Sequence, residues 1–235
     1  MKGARMTPTS ALAAQLIELL GLAHPPVAIS FGTQPAAPES GDKPTAQPAG
    51  CCFWEPAQRQ PIDAQAGDHA NCSTGSYTLG LADLTAAASG TDTAALINSG
   101  WITPADLAAV AHLPIQPTSI RYEPLAIATS PDVVLVRLGP SSLMTLQGAI
   151  PDLPLASRPQ CQIIPLAYGG QAAVSPGCAI SRARTGLPAG EMTCALPART
   201  LPEVTNRLRQ AATADQAVVS YANTDLQRFD TRCES

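Results

Sequence analysis

Asp132-Val133-Val134-Leu135-Val136-Arg137-Leu138 is the stretch on which the fold turns. Five apolar residues, three of them valine, run with one arginine and without alternation from Val133 to Leu138, bounded by Pro131-Asp132 and Gly139-Pro140. A short continuous run of this kind reads as a strand buried on both faces. Downstream, Gly139-Pro140-Ser141-Ser142 opens a helix predicted over Leu143 to Ile150. Upstream, Ser119 to Ile127 and Pro26 to Phe31 read as further strands, the second preceded by an amphipathic helix over 9–23. In that helix Leu12, Leu16, Leu19 and Leu20 share a face, and Ser10 is the expected cap.

Further out the pattern is less regular. Gly32 to Gly50 is rich in Pro, Ala, Gly and Ser and reads as a mobile surface loop. A helix is expected from about Trp54 to Ala66, limited by Pro56 and Pro61. Thr103-Pro104-Ala105-Asp106 opens a short helix, with Thr103 as cap and Pro104 in the first turn. Strands are expected around Gln162 to Leu166 and Met192 to Leu196, and a helix over Leu201 to Ala214. Strands and helices mixed without strict alternation predict an α+β fold, or α/β with irregular insertions.

The chain has 235 residues, 45% of them apolar, enough for one domain with a sizeable core. Lys2 and Lys43 are the lysines, so arginine supplies 12 of the 14 basic residues. A net charge of −4 with 4% aromatic residues argues against nucleic acid as a partner. No apolar stretch is long enough to cross a bilayer. Gln15 and Glu18 interrupt the N-terminal apolar run, and His24-Pro25-Pro26 follows it where a signal peptide would have small residues. The expected compartment is the cytoplasm, where thiols stay reduced. Seven cysteines, an odd number, then call for an explanation as buried hydrophobes, ligands or nucleophiles.

The two halves of the chain echo each other. Cys52-Phe53-Trp54-Glu55-Pro56 and Cys161-Gln162-Ile163-Ile164-Pro165 both read Cys-x-x-x-Pro. Cys72 is followed by Gly80-Leu81 and Cys178 by Gly186-Leu187 at the same offsets. Each half runs strand, long loop, Cys-x-x-x-Pro, then Cys-x7-Gly-Leu. The expectation is a single domain, 1–235, holding an internal duplication. Half one spans about 26–115 and half two about 131–215, packed about a pseudo-twofold axis with cysteine-bearing loops at the interface.

Pro26 to Phe31, Cys52-Phe53-Trp54, His69-Ala70-Asn71-Cys72-Ser73-Thr74-Gly75, Pro131 to Leu135, and Gly177-Cys178-Ala179-Ile180-Ser181-Arg182 with Glu191 and Pro197 resemble one family. This is the domain-of-unknown-function family 169, and the resemblance covers about residues 10–215. It implies a cytoplasmic, single-domain protein and supplies no chemistry. Cys51 departs from the expected pattern of one cysteine at this motif, leaving open whether Cys51 or Cys52 faces inward.

Three functions follow from the residues. In the leading one, Cys52, Cys72, Cys161 and Cys178 ligate a metal, with His69 as alternate ligand. Soft thiolates suit zinc or an iron–sulfur cluster, and Gly75 and Gly177 let backbone approach sulfur. In the second, Cys72 or Cys178 is a catalytic nucleophile: His69 stands three residues before Cys72, and Arg182 and Arg184 follow Cys178. In the third, Arg182 holds an anionic small molecule in a non-catalytic cleft. Against all three stands the plain alternative that the cysteines fill a reduced core. Arg182 and Glu191 are also candidates for a hairpin ion pair. His24 and His112 read as helix-end residues and Cys194 as strand core, with Cys233 in a polar tail. No Walker motif, Gly-x-Gly-x-x-Gly after a strand, Gly-x-Ser-x-Gly or His-Glu-x-x-His is present.

Overall fold

A computed structural model describes residues 7–33, 49–156 and 158–229. The expected loop over 32–50 therefore lies mostly outside the described residues, as does Cys233.

The Val133–Leu138 run is a strand, β4, as its composition predicts. It lies at the centre of one six-stranded sheet with β1 (Val27–Gly32), β2 (Ile62–Gln65), β3 (Ser119–Pro124), β5 (Ala173–Ser175) and β6 (Met192–Pro197). The order is β2-β3-β1-β4-β6-β5, and every named pairing is antiparallel. The ten helices are α1 (Pro8–Leu20), α2 (Ala66–His69), α3 (Ser73–Thr78), α4 (Leu84–Ser89), α5 (Thr91–Asn98), α6 (Pro104–Ala109), α7 (Pro140–Ala149), α8 (Ile163–Tyr168), α9 (Ala179–Thr185) and α10 (Leu201–Phe229) among the described residues. The fold is α+β.

β4 is apolar on both sides because both faces of the sheet are covered. On one face Ala28, Val134, Val136, Cys194 and Leu196 meet α1, α7 and α10 through Leu16, Leu20, Leu146, Val204 and Leu208. On the other, Val27, Ile29, Val133, Leu135, Ile120 and Tyr122 meet Phe53, Trp54, Leu79, Ile163 and Ile164. This second layer holds Cys51, Cys72, Cys161 and Cys178.

The strand registers of the two halves correspond position by position. Val27 of β1 pairs with Pro124, the last residue of β3, and Val133 of β4 pairs with Pro197, the last residue of β6. Ile62 of β2 pairs two residues before Pro124, and Ala173 of β5 pairs two residues before Pro197. At the centre Ala28 faces Val134, flanked by Val27↔Leu135 and Ile29↔Val133. Where the second half turns from α9 to β6 through a short connection, the first half inserts α4, α5 and α6 before β3.

Several local expectations need correction. α1 is capped by Thr7, whose hydroxyl accepts from Ser10 N, and not by Ser10; Gly21 in the left-handed region ends it. The helix expected over Trp54 to Ala66 does not form. Pro56 and Pro61 leave short 3₁₀ turns, and Ile62–Gln65 extends as edge strand β2 along β3. The strand expected at Gln162 to Leu166 is helix α8, because a short apolar run buried all round carries no period to tell the two apart. Leu201–Phe229 runs beyond its expected end at Ala214, and its last turns leave Val218, Val219 and Tyr221 exposed. Asp106 completes a capping box with Thr103 at α6.

Leu16 is wholly buried under α1, while Ile17 on the opposite side is 37% exposed. Leu16→Ala is expected to lower unfolding free energy by about 2–5 kcal/mol, and Ile17→Ala by no more than about 0.5 kcal/mol. Urea titration of the two variants checks both.

Candidate functional site

Four chain segments on the second face converge on one pocket. A 3₁₀ turn, Gly50–Phe53, brings Cys51; the start of α3 brings Cys72; the turn Gln160–Gln162 brings Cys161; the start of α9 brings Cys178. All four cysteines line the pocket, with Trp54, Leu79, Trp101 and Ile180 among the apolar walls. Its interior of about 40 Å³ compares with roughly 10–15 Å³ for a single water. An occupant of this interior would be small.

The echo in sequence has a structural content. Cys72 is the N-cap of α3 and Cys178 the N-cap of α9. Cys178 Sγ accepts from Ser181 N at 3.4 Å, whereas the Gly75 N–H stands near Cys72 Sγ without closing a cap hydrogen bond. The matching glycines, Gly80 and Gly186, both take positive φ just after these helices. Each Cys-x7-Gly-Leu stretch is thus a short helix with a sulfur at its start and a left-handed glycine at its end.

Close packing fixes these positions. A Cβ on Gly50 would lie 2.8 Å from the His69 ring, and one on Gly75 3.1 Å from Cys72 Sγ. Ser73 N and Oγ both donate to Asp92 on α5, tying the Cys72 turn to the inserted helices. Gln160 bridges the second half: its amide donates to Thr193 Oγ1, and its carbonyl accepts from Ser181 Oγ. Gly177, at φ +84°, lets that carbonyl, the Arg182 stem and Leu187 close around it.

The remaining candidates fall elsewhere. Cys52 is not on the pocket wall; its Sγ lies 3.9 Å from the Arg184 carbonyl. Between the adjacent cysteines, then, Cys51 faces inward. His69 is 1% exposed and stands behind Gly50. Its Nδ1 donates to the Gln65 carbonyl at 2.8 Å, so its Nε2 accepts from Tyr122 Oη at 3.0 Å. Both nitrogens are engaged, and burial lowers the imidazole pKa, keeping it neutral. Among the described residues His69 forms no pair with Cys72, since both its nitrogens are bonded to Gln65 and Tyr122. Arg182 donates to the carbonyls of Leu187, Pro188 and Glu191, so its fork closes the α9–β6 turn. Glu191 pairs with Arg137 and not with the Arg182 side chain. His24 lies 3.8 Å from Glu191, and His112 stacks on Tyr77.

Charge is what the pocket lacks. Burial pushes the Cys161 thiol far above its ordinary range, and it raises Cys72 against the opposing Gly75 N–H. Cys51 is raised by its hydrogen bond to Cys52, then by burial and by its thiol neighbours. Cys52 moves the other way, down to about 6, chiefly because the Cys51 thiol donates to it. Among the described residues no three His, Cys, Asp or Glu side chains meet around one point as a single ion requires. The four sulfurs surround a space and do not share a vertex.

The description "Uncharacterised ArCR", family 169, matches residues 15–152, more than half of the chain. The chain belongs to the domain-of-unknown-function family 169. The family 169 match takes in the second half of α1, the Cys51 and Cys72 turns and β4, and ends before Cys161 and Cys178. No curated protein and no solved structure matches. Sequence reasoning left the choice between Cys51 and Cys52 open, and it missed Trp101 and Gln160 on the pocket wall. An apolar residue beside a loop cysteine gives no signal of which way it turns.

Cys52 is expected to alkylate faster than every other cysteine, with the rate rising through a midpoint near pH 6. Cys52→Ser should abolish the fast phase, and Cys51→Ala should move its midpoint up. Iodoacetamide labelling followed by peptide mass spectrometry reads both.

Proposed function

We propose that this protein holds a thiolate-ligated metal centre between two related halves, with Cys51, Cys72, Cys161 and Cys178 as ligands. The observation that carries this reading is the convergence of four cysteines, from four separate segments, on one small apolar pocket. A core needing only small hydrophobes has no reason to gather its sulfurs around a space. Thiolates suit soft centres, and backbone N–H groups on Cys72 and Cys178 favour ionised sulfur.

An iron–sulfur cluster fits better than one zinc ion. A cluster takes one thiolate per iron and holds the ligand sulfurs further apart than a single tetrahedral ion does. Among the described residues no three ligands gather as a single ion would require, which counts against one zinc ion. The matching registers of β1–β3 and β4–β6 support a duplication about a pseudo-twofold axis through the Ala28–Val134 pair. Each half then contributes an N-cap cysteine and a turn cysteine. Trp54 and Trp101 screen the centre from water. Among the described residues no helix is long and apolar enough to cross a membrane. The reading places the protein in the reducing cytoplasm, with a metal centre or a small molecule bound at it as its partner, and with electron transfer as the role that a buried cluster suits.

Loading must strip protons from thiols that burial keeps protonated. Affinity is therefore expected to rise with pH and loading to release protons, measurable by a pH indicator in weak buffer. Protein purified without oxygen should be brown, with stoichiometric iron and sulfide. Cys→Ser at any of the four positions should lower the iron content, and Cys52→Ser should leave it unchanged. Iron-free, colourless, zinc-free protein that is folded and was never exposed to oxygen would sink the reading.

A further inference from the structure

The first half inserts α4, α5 and α6 where the second half has a short connection from α9 to β6. Part of this insertion lines a second cavity of about 320 Å³, far more than the roughly 10–15 Å³ that one water needs. Ile102, Asp106, Ala109 and Val110 come from the insertion, and Arg158 and Gln162 from the turn that carries Cys161. Asp106, Ala109 and Val110, three and four residues apart along α6, fall on one side of it. The cysteine pocket is adjacent: Trp101 and Cys161 line that pocket, and their chain neighbours Ile102 and Gln162 line this cavity.

Two residues of opposite charge line this cavity and do not meet. Arg158 and Asp106 are both exposed, and among the described residues neither takes part in an ion pair. Each is anchored locally instead. The Arg158 guanidinium stands 5.0 Å over the Trp101 ring. Asp106 Oδ2 accepts from the Thr103 N–H and hydroxyl, at 2.8 Å each. Those bonds, with a smaller contribution from the Arg158 charge, hold the Asp106 carboxyl below its usual range. The two charges are thus near enough to act on each other and too far apart to pair. The cavity surface is more polar than apolar although three of its six residues are aliphatic, which points to the polar heads of the other three.

A simple anion here would be drawn by Arg158 and repelled by Asp106, and a simple cation the reverse. A molecule with both charges on neighbouring groups satisfies both residues at once. Ile102 and Val110, themselves buried, supply an apolar floor beside them. We propose that this cavity binds a small zwitterion, an α-amino acid with an aliphatic side chain. Its carboxylate meets the Arg158 guanidinium, its ammonium the Asp106 carboxylate, and its side chain Ile102, Ala109 and Val110. Both charged residues are open to water, so binding is modest and selectivity comes from engaging both ends. The site lies outside the cysteine pocket, and the inference stands without the thiolate-centre reading.

The test uses the full chain carrying ¹⁵N-labelled tryptophan, which gives two indole resonances, with Trp101 assigned by its loss in Trp101→Phe. L-Leucine is compared with isocaproate, which lacks its amine, and with isopentylamine, which lacks its carboxylate. Leucine is expected to move the Trp101 signal saturably, and each single-charge analogue to bind at least about fivefold more weakly. Arg158→Gln should erase leucine's advantage over isopentylamine, and Asp106→Asn its advantage over isocaproate. No saturable shift with leucine or with L-alanine would overturn the proposal. Isocaproate binding as tightly as leucine would make this an anion site and overturn the zwitterion class. Discrimination unchanged in both variants would overturn the assignment of the two charges. Asp106→Asn keeps an oxygen for the Thr103 cap; should a variant still fold poorly, the analogue series on the parent protein decides the outcome.

Discussion

Everything else in this molecule hangs on the antiparallel pairing of β1 with β4. Neither strand has a polar face, so each demands cover on both sides. The long helices α1, α7 and α10 answer on one face. The other face is left to short turns and one-turn or two-turn helices, which bury few residues each and can be shaped around a pocket. Division of labour between the faces follows: one stabilises, and the other holds sulfur.

The pocket is held by polar contacts of unusual economy. Asp92 clamps the Cys72 turn, and Gln160 clamps the Cys161 and Cys178 turns to each other and to β6 through Thr193. Glycines do the rest by letting backbone come within contact of a ring or a sulfur. None of these clamps brings a formal charge to the pocket wall, so thiols stay neutral until something compensates their ionisation. Under the metal-centre reading proposed above, a site built in this way would discriminate by softness and by proton release more than by long-range attraction.

Legibility in the sequence followed the strength of local physics. β4 was readable because five apolar residues and one arginine between Pro131-Asp132 and Gly139-Pro140 admit few other structures, and α6 because Thr103, Pro104 and Asp106 each favour a helix start. Cys-x7-Gly-Leu was visible as a repeat before its meaning as a capped helix was. Hidden features depend on partners distant in sequence. β2 is four residues long and exists only because β3 offers it an edge. α8 has the composition of a strand and is helical because it is packed on all sides. The inward turn of Cys51 over Cys52 is set by the 3₁₀ geometry after Gly50, and nothing in the two side chains distinguishes them. The engaged nitrogens of His69 depend on Tyr122, more than fifty residues away.

The sheet's two margins have a consequence for behaviour in a crowded solution. β2 offers four residues and β5 three, and Asp63 on β2 is tied to Arg121 on its neighbour. A free strand that tried to add itself to either side would find little backbone to template on and, beside β2, a charged pair to displace. Margins this short give edge addition little to build on, even with apolar strands at the heart of the sheet.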